Sequence, residues 1–573
     1  MQANNFKPDN VLYSGLYKVS AKNIVPSLQR PYTWDKKNIN KFWEDIIEND
    51  PPYFIGTIVL VAGEGSSSRD EVIDGQQRLT TISLILLALR DYIVEDKIRN
   101  VEKLKEDIRG LILEPQFEGD PIPRLKFISP TANIVYKEII ASKFDSSNNT
   151  DEKHIPDIKK KFQNNYEELK KLIRISVVEH KIKPQIIFEK IKELEMVVIR
   201  CASKTSGYKL FEGLNATAVP LAGVDLIKNS LFMKLSGNNK MLKESEEKWQ
   251  ELEEKFLYES RRMFQNFIRH QWLSSIGYVN HAGLFGEFEK VYVVEGDEKK
   301  LIAYIEELIK DADVYIALRK ANISNLDKLP NIRFEKKEIE EVLQFLSYLN
   351  VDQIYSILLY IYKNRIQDFK KYLIRLTSFQ FLFKYLPGSP SIVEKYFAQF
   401  CRHDINAQEL FQQLEKLCSK QTDNFIETFL PKTKYNQGKS GDIQFILQRF
   451  LYSGSQVESH RKPTIEHIIP QKPSKNYKKI LLKNFGSQIE FKDGIHRIGN
   501  LTILEKTDQG KYENKAFKDK AKIYKNDVFK ENQNIIKYNF DKDPSYAIEK
   551  RGEYVIKRIY ELFLNSLKTG KLQ

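Results

Sequence analysis

Residues 72–90 read VIDGQQRLTTISLILLALR, and this stretch determines the fold of the N-terminal half of the chain. Val72 and Ile73 form a short apolar run, and Asp74-Gly75 is a turn signal. From Leu79 onward apolar residues recur at helical spacing. The stretch therefore predicts a strand, a tight turn and a buried helix.

Four polar residues, Asp74, Gln76, Gln77 and Arg78, fall on the predicted turn and on the first turn of the helix. An acid, two amides and a guanidinium are costly to bury unless they bind one another or a ligand. The amino end of a helix also favours anions. The plainer alternative is a helix cap, in which Asp74 caps the helix and Arg78 points to solvent.

A second polar and aromatic cluster precedes this stretch in SLQRPYTW, residues 27–34, which contains Gln29 and Arg30. The apolar spacing after it predicts a helix over Lys36–Glu48, and YFIGTIVLV predicts a buried strand over residues 53–61. Two polar clusters at strand-to-helix junctions would converge on one anionic ligand. Arg30 could equally be a surface charge, and we interpret Trp34 as a core aromatic residue.

Length and cysteine content restrict the class of protein. A chain of 573 residues is long enough for two to four domains. Its three cysteines are far apart and form no CxxC pair, which argues against a disulfide framework and suits a reducing cytoplasm. The N-terminus lacks a secretion-signal pattern, and no apolar run is long enough to span a bilayer.

The formal net charge is +14, and it is unevenly distributed. Residues 456–573 carry 25 Lys and Arg against 15 Asp and Glu. A basic C-terminal module suits a protein that binds the phosphate backbone of nucleic acid. A genome of low G+C content encodes many lysines throughout its proteins and would give the same excess. Charge alone therefore leaves both explanations open.

The middle of the chain offers fewer chemical signals. Residues 195–200, EMVVIR, predict a strand, and a polar turn is expected at Asn215 before a helix that begins near Asp225 and carries Lys228. Capping roles would explain Asn215 and Asp225 equally well. Residues 236 to about 450 show aromatic residues at helical spacing, which we interpret as the core of a helical region.

The clearest chemistry lies between residues 464 and 503. TIEHIIPQ places Glu466 and His467 on a short strand, and HRIGNLTIL places His496 and Asn500 before a second strand. A following helix is expected to carry Gln509, Asn514, Phe517 and Tyr524. Carboxylate and amide oxygens suit Mg²⁺ or Mn²⁺, and a neutral histidine can deprotonate water. A purely structural histidine is the alternative that one Glu-His pair leaves open.

Taken together, these motifs resemble the GmrSD family of modification-dependent (type IV) restriction enzymes. QRPYTW, YFIGTIVL, IDGQQRLTT and FEGLN…DLIKN are similar, in order, to that family's first domain, which has a ParB-like core associated with nucleotide binding and hydrolysis. IEHIIPQ, IGNLTIL and NKAFKDK resemble its HNH-type nuclease domain, a ββα-metal fold. The resemblance covers roughly residues 1–235 and 440–573.

The resemblance implies roles for individual residues in the nuclease domain. His467 would be the general base, Glu466 a metal ligand, and Asn500 the residue that holds the hairpin and fixes the histidine. Gln509 stands where the family usually has an asparagine ligand, and glutamine reaches one methylene further. Further support would come from five residues: Asn215, Asp225, Lys228, His496 and Asn514.

In the first domain the resemblance implies a nucleotide or sensor site. Its residues would be Gln29, Arg30, Asp74, Gly75, Gln76, Gln77 and Arg78. The ligand would be GTP or another nucleoside triphosphate.

These observations predict an α+β, mostly helical chain with three domains. A ParB-like nucleotide-binding sensor domain would span residues 1–235, a helical connecting domain 236–440, and an HNH-type nuclease domain 441–573. The expected function is that of a cytoplasmic, Mg²⁺- or Mn²⁺-dependent endonuclease of antiviral defence that acts on modified phage DNA. Double-strand cutting would need two sites, and hence a homodimer. The alternative is a nucleotide-gated DNA-binding regulator, or an NTPase, with a degenerate HNH site.

Overall fold

The computed structural model describes most of the chain, and the fold is mostly helical with small sheets. This confirms the predicted α+β, mostly helical class, while the ParB-like and ββα-metal assignments stay predictions. The described residues are 6–19, 25–26, 32–62, 70–116, 120–127, 130–141, 157–215, 223–324, 326, 333–432, 435, 441–453, 463–485, 488–505 and 512–572.

The strands described form three sheets, of which the largest has the order β1-β7-β3-β4-β2. Its two central strands, β3 and β7, run parallel, whereas β1 pairs antiparallel with β7 and β4 pairs antiparallel with β3. The strands are β1 (Phe6–Leu12), β2 (Val25–Pro26), β3 (Phe54–Val61), β4 (Glu71–Asp74), β5 (Leu113–Glu114), β6 (Ile122–Pro123), β7 (Glu195–Cys201), β8 (Pro463–His467) and β9 (Leu501–Glu505).

Helices make up the rest of the regular structure. In the described chain they are α1 (Tyr13–Val19), α2 (Lys36–Glu48), α3 (Gln76–Glu95), α4 (Glu102–Ile112), α5 (Pro130–Ile140), α6 (Asp157–Val178), α7 (Pro184–Lys192), α8 (Lys204–Asn215), α9 (Gly223–Leu235), α10 (Asn239–Lys255), α11 (Arg261–Ser275), α12 (Leu284–Phe288), α13 (Glu298–Lys320), α14 (Arg333–Leu349), α15 (Ile354–Asn364), α16 (Phe369–Lys384), α17 (Pro390–Cys401), α18 (Ala407–Cys418), α19 (Thr422–Lys432), α20 (Gly441–Tyr452), α21 (Lys475–Phe485), α22 (Gln488–Gly494), α23 (Phe517–Lys525), α24 (Lys530–Gln533) and α25 (Pro544–Thr569).

Two compact units divide the chain. The first comprises Met1–Arg269 and Val279–Ala312, and the second comprises His270–Tyr278 and Asp313–Gln573. The division into three domains at 1–235, 236–440 and 441–573 stays a prediction, because compactness alone does not assign a function to either unit.

In the first unit, the predicted strand, turn and buried helix are confirmed. β4 ends at Asp74, Gly75 takes a left-handed conformation with φ +97°, and α3 begins at Gln76. Nearly every residue from Leu79 to Leu89 is buried, because α3 lies inside the main hydrophobic core of this unit. The helix is therefore buried on all sides along this stretch, as a central core helix is expected to be.

Helix α2 also matches its prediction, with the bounds Lys36–Glu48. The Asp35 side chain accepts a hydrogen bond from the amide of Asn38, whose side chain accepts one from the Asp35 amide, so the helix begins in a capping box. Trp34 is partly buried and packs edge-on against Phe42, with 5.1 Å between ring centroids. The interpretation of Trp34 as a core aromatic residue is confirmed.

The expectation of a helical region after residue 235 is confirmed. All regular elements described between Asn239 and Lys432 are helices, with one π-helical turn at Glu289–Val294 and one 3₁₀ turn at Ile366–Asp368. The predicted core aromatics are buried; the rings of Trp249 and Phe264 lie 6.3 Å apart in an edge-on arrangement. Within the described ranges, no helix is both long and apolar enough to cross a membrane.

In the second unit, the long helix α25 supports a small β-hairpin. Gly499, in the 3₁₀ turn before β9, lies against α25 so closely that an added Cβ would fall 1.8 Å from the Ile548 carbonyl oxygen. From α25, the buried Arg551 guanidinium donates to the carbonyls of Gly499 (2.9 Å) and Leu501 (2.8 Å). This contact fixes the start of β9, and with it the candidate site.

Candidate functional site

The hairpin of β8 and β9 brings two candidate site residues, Glu466 and His467, to the end of one strand. In the antiparallel register Glu466 pairs with Thr502 and His467 pairs with Leu501. Both side chains are buried, Glu466 at 1% and His467 at 5% exposure. Successive residues of a strand face opposite sides, and accordingly the two side chains have different neighbours.

Asn500 holds the chain that follows His467. Its buried side chain accepts a hydrogen bond from the Ile469 amide (2.8 Å) and donates to the Ile469 carbonyl (3.0 Å) and the Ile495 carbonyl (2.8 Å). Its backbone carbonyl accepts a bond from the Ile468 amide (2.8 Å). All polar atoms of the Asn500 side chain are thereby used inside the protein, in the geometry of a residue that locks a turn.

The His467 imidazole lies in an aromatic and polar enclosure. Perpendicular to it are the rings of Tyr435 and His496, at centroid distances of 4.8 Å and 5.5 Å. The amide nitrogen of Gln471 is 3.1 Å from its Nδ1. Burial, with smaller contributions from the charges of His496 and Lys520, lowers the pKa of His467 to about 3. At neutral pH the ring is therefore uncharged and keeps a lone pair that can accept a proton.

Glu466 faces a buried lysine on the other side of the strand. Lys520 Nζ, from α23, pairs with the Glu466 carboxylate and donates to the carbonyls of His467 (2.6 Å) and Glu513 (3.3 Å). The Lys520 side chain, like that of Glu466, is 1% exposed. Burial raises the pKa of Glu466 and lowers that of Lys520, and the attraction between the two charges opposes both shifts.

Glu466 and Gln509 are the predicted ligands of Mg²⁺ or Mn²⁺. Glu466, the predicted ligand, is engaged by an ammonium group, and Gln509 lies outside the described residues. No group of three or more His, Cys, Asp and Glu side chains in the described ranges is placed to hold a metal ion. The metal, and the ligand roles of Glu466 and Gln509, therefore stay predictions.

Two of the predicted supporting residues differ in their placement. His496 lies beside the candidate base: its backbone carbonyl accepts a bond from the Tyr435 amide (2.8 Å), and its ring stacks near the Tyr435 ring. Asn514, by contrast, was expected on the helix after the hairpin, and this prediction was wrong. It is an exposed turn residue, because α23 begins only at Phe517, after the N-cap Ala516.

Three neighbours of His467 and Glu466 were missed from the sequence: Tyr435, Gln471 and Lys520. Tyr435 precedes the hairpin by about thirty residues, and no local pattern connects the two. Lys520 lies among many lysines of similar local context. A weak signal existed for Lys520 alone, since three residues before it Phe517 begins an apolar helical face that also holds Tyr524. A lysine on that face is expected to be buried and paired.

In the first unit, the polar cluster after β4 is used to join backbone segments. The Arg78 guanidinium donates to the carbonyls of Ile55 and Thr57, both at 2.8 Å, and lies 3.3 Å from the Asp74 carboxylate. A side chain at Gly56 would collide with this guanidinium, since a Cβ there would be 2.3 Å from Arg78 Nη1. Arg78 therefore clamps the irregular start of β3 instead of pointing to solvent.

The two glutamines of the cluster have similar roles. Gln76 Nε2 donates to the Val72 carbonyl (3.0 Å), and Gln77 Oε1 accepts from the amides of Thr33 (2.7 Å) and Trp34 (3.3 Å). Gln77 thus ties the segment that follows QRP to the start of α3. Gln29 and Arg30 lie outside the described residues, so the convergence of the two clusters on one ligand, like the nucleotide site itself, stays a prediction.

Asp225 and Lys228 take part in a buried charge network between helices of the first unit. Asp225 pairs with Arg261, and Lys228 Nζ lies 3.0 Å from Glu253 Oε1. Burial lowers the pKa of Lys228, and the attraction of Glu253 opposes that shift. These contacts join α9 to α10 and α11. Asn215 is the last residue of α8, and its side chain lies outside the described residues.

Both candidate sites lie in segments that match models of a known protein family. A model of the GmrSD restriction endonuclease N-terminal domain matches residues 13–232, which contain the Asp74–Arg78 cluster. A model of the GmrSD restriction endonuclease C-terminal domain matches residues 419–558, which contain the hairpin with Glu466, His467 and Asn500. No curated protein matches the chain. Because the two models together cover more than half of its length, in the family's domain order, the chain belongs to the GmrSD restriction endonuclease family.

Proposed function

We propose that this restriction endonuclease hydrolyses DNA phosphodiesters at the end of the β8–β9 hairpin, with His467 as the general base. The observation that carries the proposal is the position of an uncharged imidazole at the end of β8, held by Asn500 through Ile469. A neutral histidine accepts a proton from water as the water oxygen attacks the phosphorus. The bond from phosphorus to one deoxyribose oxygen breaks, and that oxygen takes up a proton from solvent.

The surface near the hairpin supports DNA as the substrate. Exposed lysines lie on α21 and on α23, and in the described residues their ammonium groups make neither ion pairs nor hydrogen bonds. They are Lys475, Lys479, Lys483, Lys518, Lys522 and Lys525. Lysines of this kind are free to neutralise phosphates, which makes affinity for DNA strongly dependent on salt.

Cleavage is proposed to require Mg²⁺ or Mn²⁺, on the resemblance of the hairpin to HNH-type nucleases. A bound divalent ion supplies stabilisation for the charge that develops on the phosphate. One base per site would cut one strand in each encounter, so a double-strand break would need two sites, for example in a homodimer. Plasmid nicking with and without EDTA tests the metal requirement, and the sedimentation coefficient tests the dimer.

The proposal also includes selectivity for modified DNA, a role in antiviral defence and control by a nucleoside triphosphate. They rest on the family and on the polar cluster of the first unit. The decisive experiment compares supercoiled plasmid with and without modified cytosines, in the presence and absence of GTP or ATP. Wild type is expected to nick modified DNA, and His467→Ala is expected to lose nicking while it still binds DNA. The exposed His180 provides the matched control, His180→Ala.

The second candidate is a nucleotide-gated DNA-binding regulator, or an NTPase, that does not cut. One observation favours it: the Glu466 carboxylate is engaged by Lys520 and not open to a metal ion. This candidate predicts salt-sensitive DNA binding and release of phosphate from the nucleotide, without nicking under any combination of metal, nucleotide and modification. Metal-dependent nicking that His467→Ala abolishes would eliminate it.

A further inference from the structure

The surroundings of Lys520 Nζ have the form of a small cation site. Three oxygens surround the ammonium: one from the Glu466 carboxylate, the His467 carbonyl at 2.6 Å and the Glu513 carbonyl at 3.3 Å. An ammonium group has three donors, and each of them has an acceptor here. Oxygen atoms around a positive charge are also what a divalent metal would require at Glu466. In this fold, the chain's own lysine provides that charge.

We propose that Lys520 is a positioning residue for the reaction at His467, and that Glu466 acts as its counter-ion and not as a metal ligand. The inference rests on the proposed function, in which His467 is the base. Lys520 does not reach the reacting atoms. It acts by holding the main-chain carbonyl of His467, the residue whose side chain does the chemistry.

Burial of the Lys520 ammonium has a cost in free energy. A buried ammonium is unfavourable unless it is paired and its hydrogen bonds are satisfied, and an apolar residue at position 520 would avoid that cost. Tyr524, one turn along the same helix, lies in the same core and is fully buried. An apolar residue at position 520 could fill the space next to Tyr524 but could not provide the bonds of the ammonium to the Glu466 carboxylate and to the carbonyls of His467 and Glu513. Of these bonds, the one to the His467 carbonyl restrains the candidate base.

The backbone at His467 is held from two sides. Lys520 fixes the carbonyl of His467, and Asn500 fixes the next two residues, Ile468 through its backbone carbonyl and Ile469 through its side chain. The peptide that follows the candidate base is thus restrained at each end. Small displacements of a catalytic group reduce rates strongly, since a misplacement of about 1 Å can cost on the order of 100-fold.

The Glu466 carboxylate is 1% exposed and contacts Lys520, whereas the His467 ring faces Tyr435, His496 and Gln471. A metal ion at Glu466 would need to displace the ammonium from the core. The two residues of the Glu-His pair therefore lie in separate surroundings, and the partner of the Glu466 carboxylate is the Lys520 ammonium.

Two variants and one control test how the Glu466–Lys520 pair contributes to stability. Lys520→Met leaves Glu466 buried and unpaired, and it is expected to lower the melting temperature by roughly 10 °C. Adding Glu466→Gln removes the unpaired charge and is expected to restore most of that loss. Lys416→Met, at an exposed position of α18 in the same unit, is the control and should change neither stability nor turnover.

Turnover separates positioning from a merely structural role. In the double variant the His467 carbonyl still lacks its donor, so kcat for nicking is expected to stay at least tenfold below wild type, while KM for DNA changes less than about twofold. If kcat returns together with the melting temperature, Lys520 is only structural, and the proposal is overturned.

Two further measurements do not depend on cleavage. The NMR signal of the His467 ring, in protein labelled at histidine, should shift in the double variant and not in Lys416→Met. In titrations with Mn²⁺, Glu466→Gln should keep the affinity of wild type within about twofold; a loss of tenfold or more would establish Glu466 as a ligand and overturn its role as counter-ion. Absence of nicking by wild type would refute the proposed function, whereas an unshifted His467 signal would refute the role of Lys520.

Discussion

The side chain of Asn500 and the backbone of Ile469 form a reciprocal pair of hydrogen bonds: the amide oxygen accepts from the Ile469 amide at 2.8 Å, and the amide nitrogen donates to the Ile469 carbonyl at 3.0 Å. The same nitrogen donates to the Ile495 carbonyl at 2.8 Å. One fully buried carboxamide therefore connects the turn after β8 to the end of α22 and to the start of β9. Only a side chain with both an acceptor and two donors can do this.

Asn500→Asp is expected to destabilise the second unit, because a carboxylate of the same shape cannot donate to the carbonyls of Ile469 and Ile495. Each buried carbonyl left without a donor costs about 1–3 kcal/mol, so the free energy of unfolding should fall by roughly 2–6 kcal/mol. Urea unfolding followed by tryptophan fluorescence or circular dichroism measures the change. The exposed Asn526 provides the control, and an equal loss in Asn526→Asp would contradict this interpretation.

Much of the local structure could be predicted from the sequence, because local patterns determine it. The spacing of apolar residues gave the bounds of α2, and the turn at Gly75 separated β4 from α3. The two strands of the hairpin follow from their short apolar runs, the first of which is followed by Pro470. In these segments one periodicity dominates, and nothing distant in the chain competes with it.

The partners of these elements could not be predicted, because they come from distant parts of the chain. β1 pairs with β7 across almost two hundred residues, and Lys520 reaches Glu466 from 54 residues away. The polar cluster Asp74–Arg78 shows the same limit. Its composition indicated that its members must bind something, but the carbonyls of Ile55 and Thr57 as partners of Arg78 appear only in the fold.

Gly75→Ala is expected to destabilise the first unit. The residue has φ +97°, and a Cβ would lie 2.2 Å from the Cδ1 atom of Ile58, so both the backbone and the packing would be strained. A loss of roughly 1–3 kcal/mol is expected, as for other cases of overpacking or of a left-handed residue given a side chain.

Gly110→Ala is the matched control for this prediction. Gly110 lies within α4, and a Cβ there would meet nothing within 4 Å. Alanine is the better helix former, so this variant should gain roughly 0.5–1 kcal/mol. Thermal unfolding of the two variants should therefore shift in opposite directions; a loss of equal size in both would refute the role assigned to the turn.

The three cysteines are expected to be unreactive in the folded protein. Cys201, Cys401 and Cys418 are all buried, and burial raises the pKa of Cys201 to about 11 and that of Cys418 to about 12. Since the thiolate is the reactive form, labelling by a disulfide reagent at pH 8 should be at least roughly 100-fold slower in the native protein than in urea. Rapid labelling of one thiol in the native state would show that its surroundings are open to solvent.

Protonation of His467 is expected to make the stability of the fold depend on pH. Its pKa in the fold is about 3, below the ordinary value of 6.5, because burial disfavours the charged ring. As the pH falls below 6.5, the unfolded chain takes up a proton that the folded chain does not, so acidification towards pH 3 favours unfolding. For this group alone the loss between pH 8 and pH 5 is about 2 kcal/mol.

His467→Asn removes the titrating group, and its free energy of unfolding should therefore fall less than that of wild type between pH 8 and pH 5. Urea unfolding at the two pH values measures the change for each protein. Subtracting the change of the variant from that of wild type cancels the contribution of the other titrating groups. His180→Asn, at an exposed position, should follow wild type. If His467→Asn loses as much stability as wild type over this interval, the folded protein does not lower the pKa of the imidazole, and the burial assigned to the ring would be contradicted.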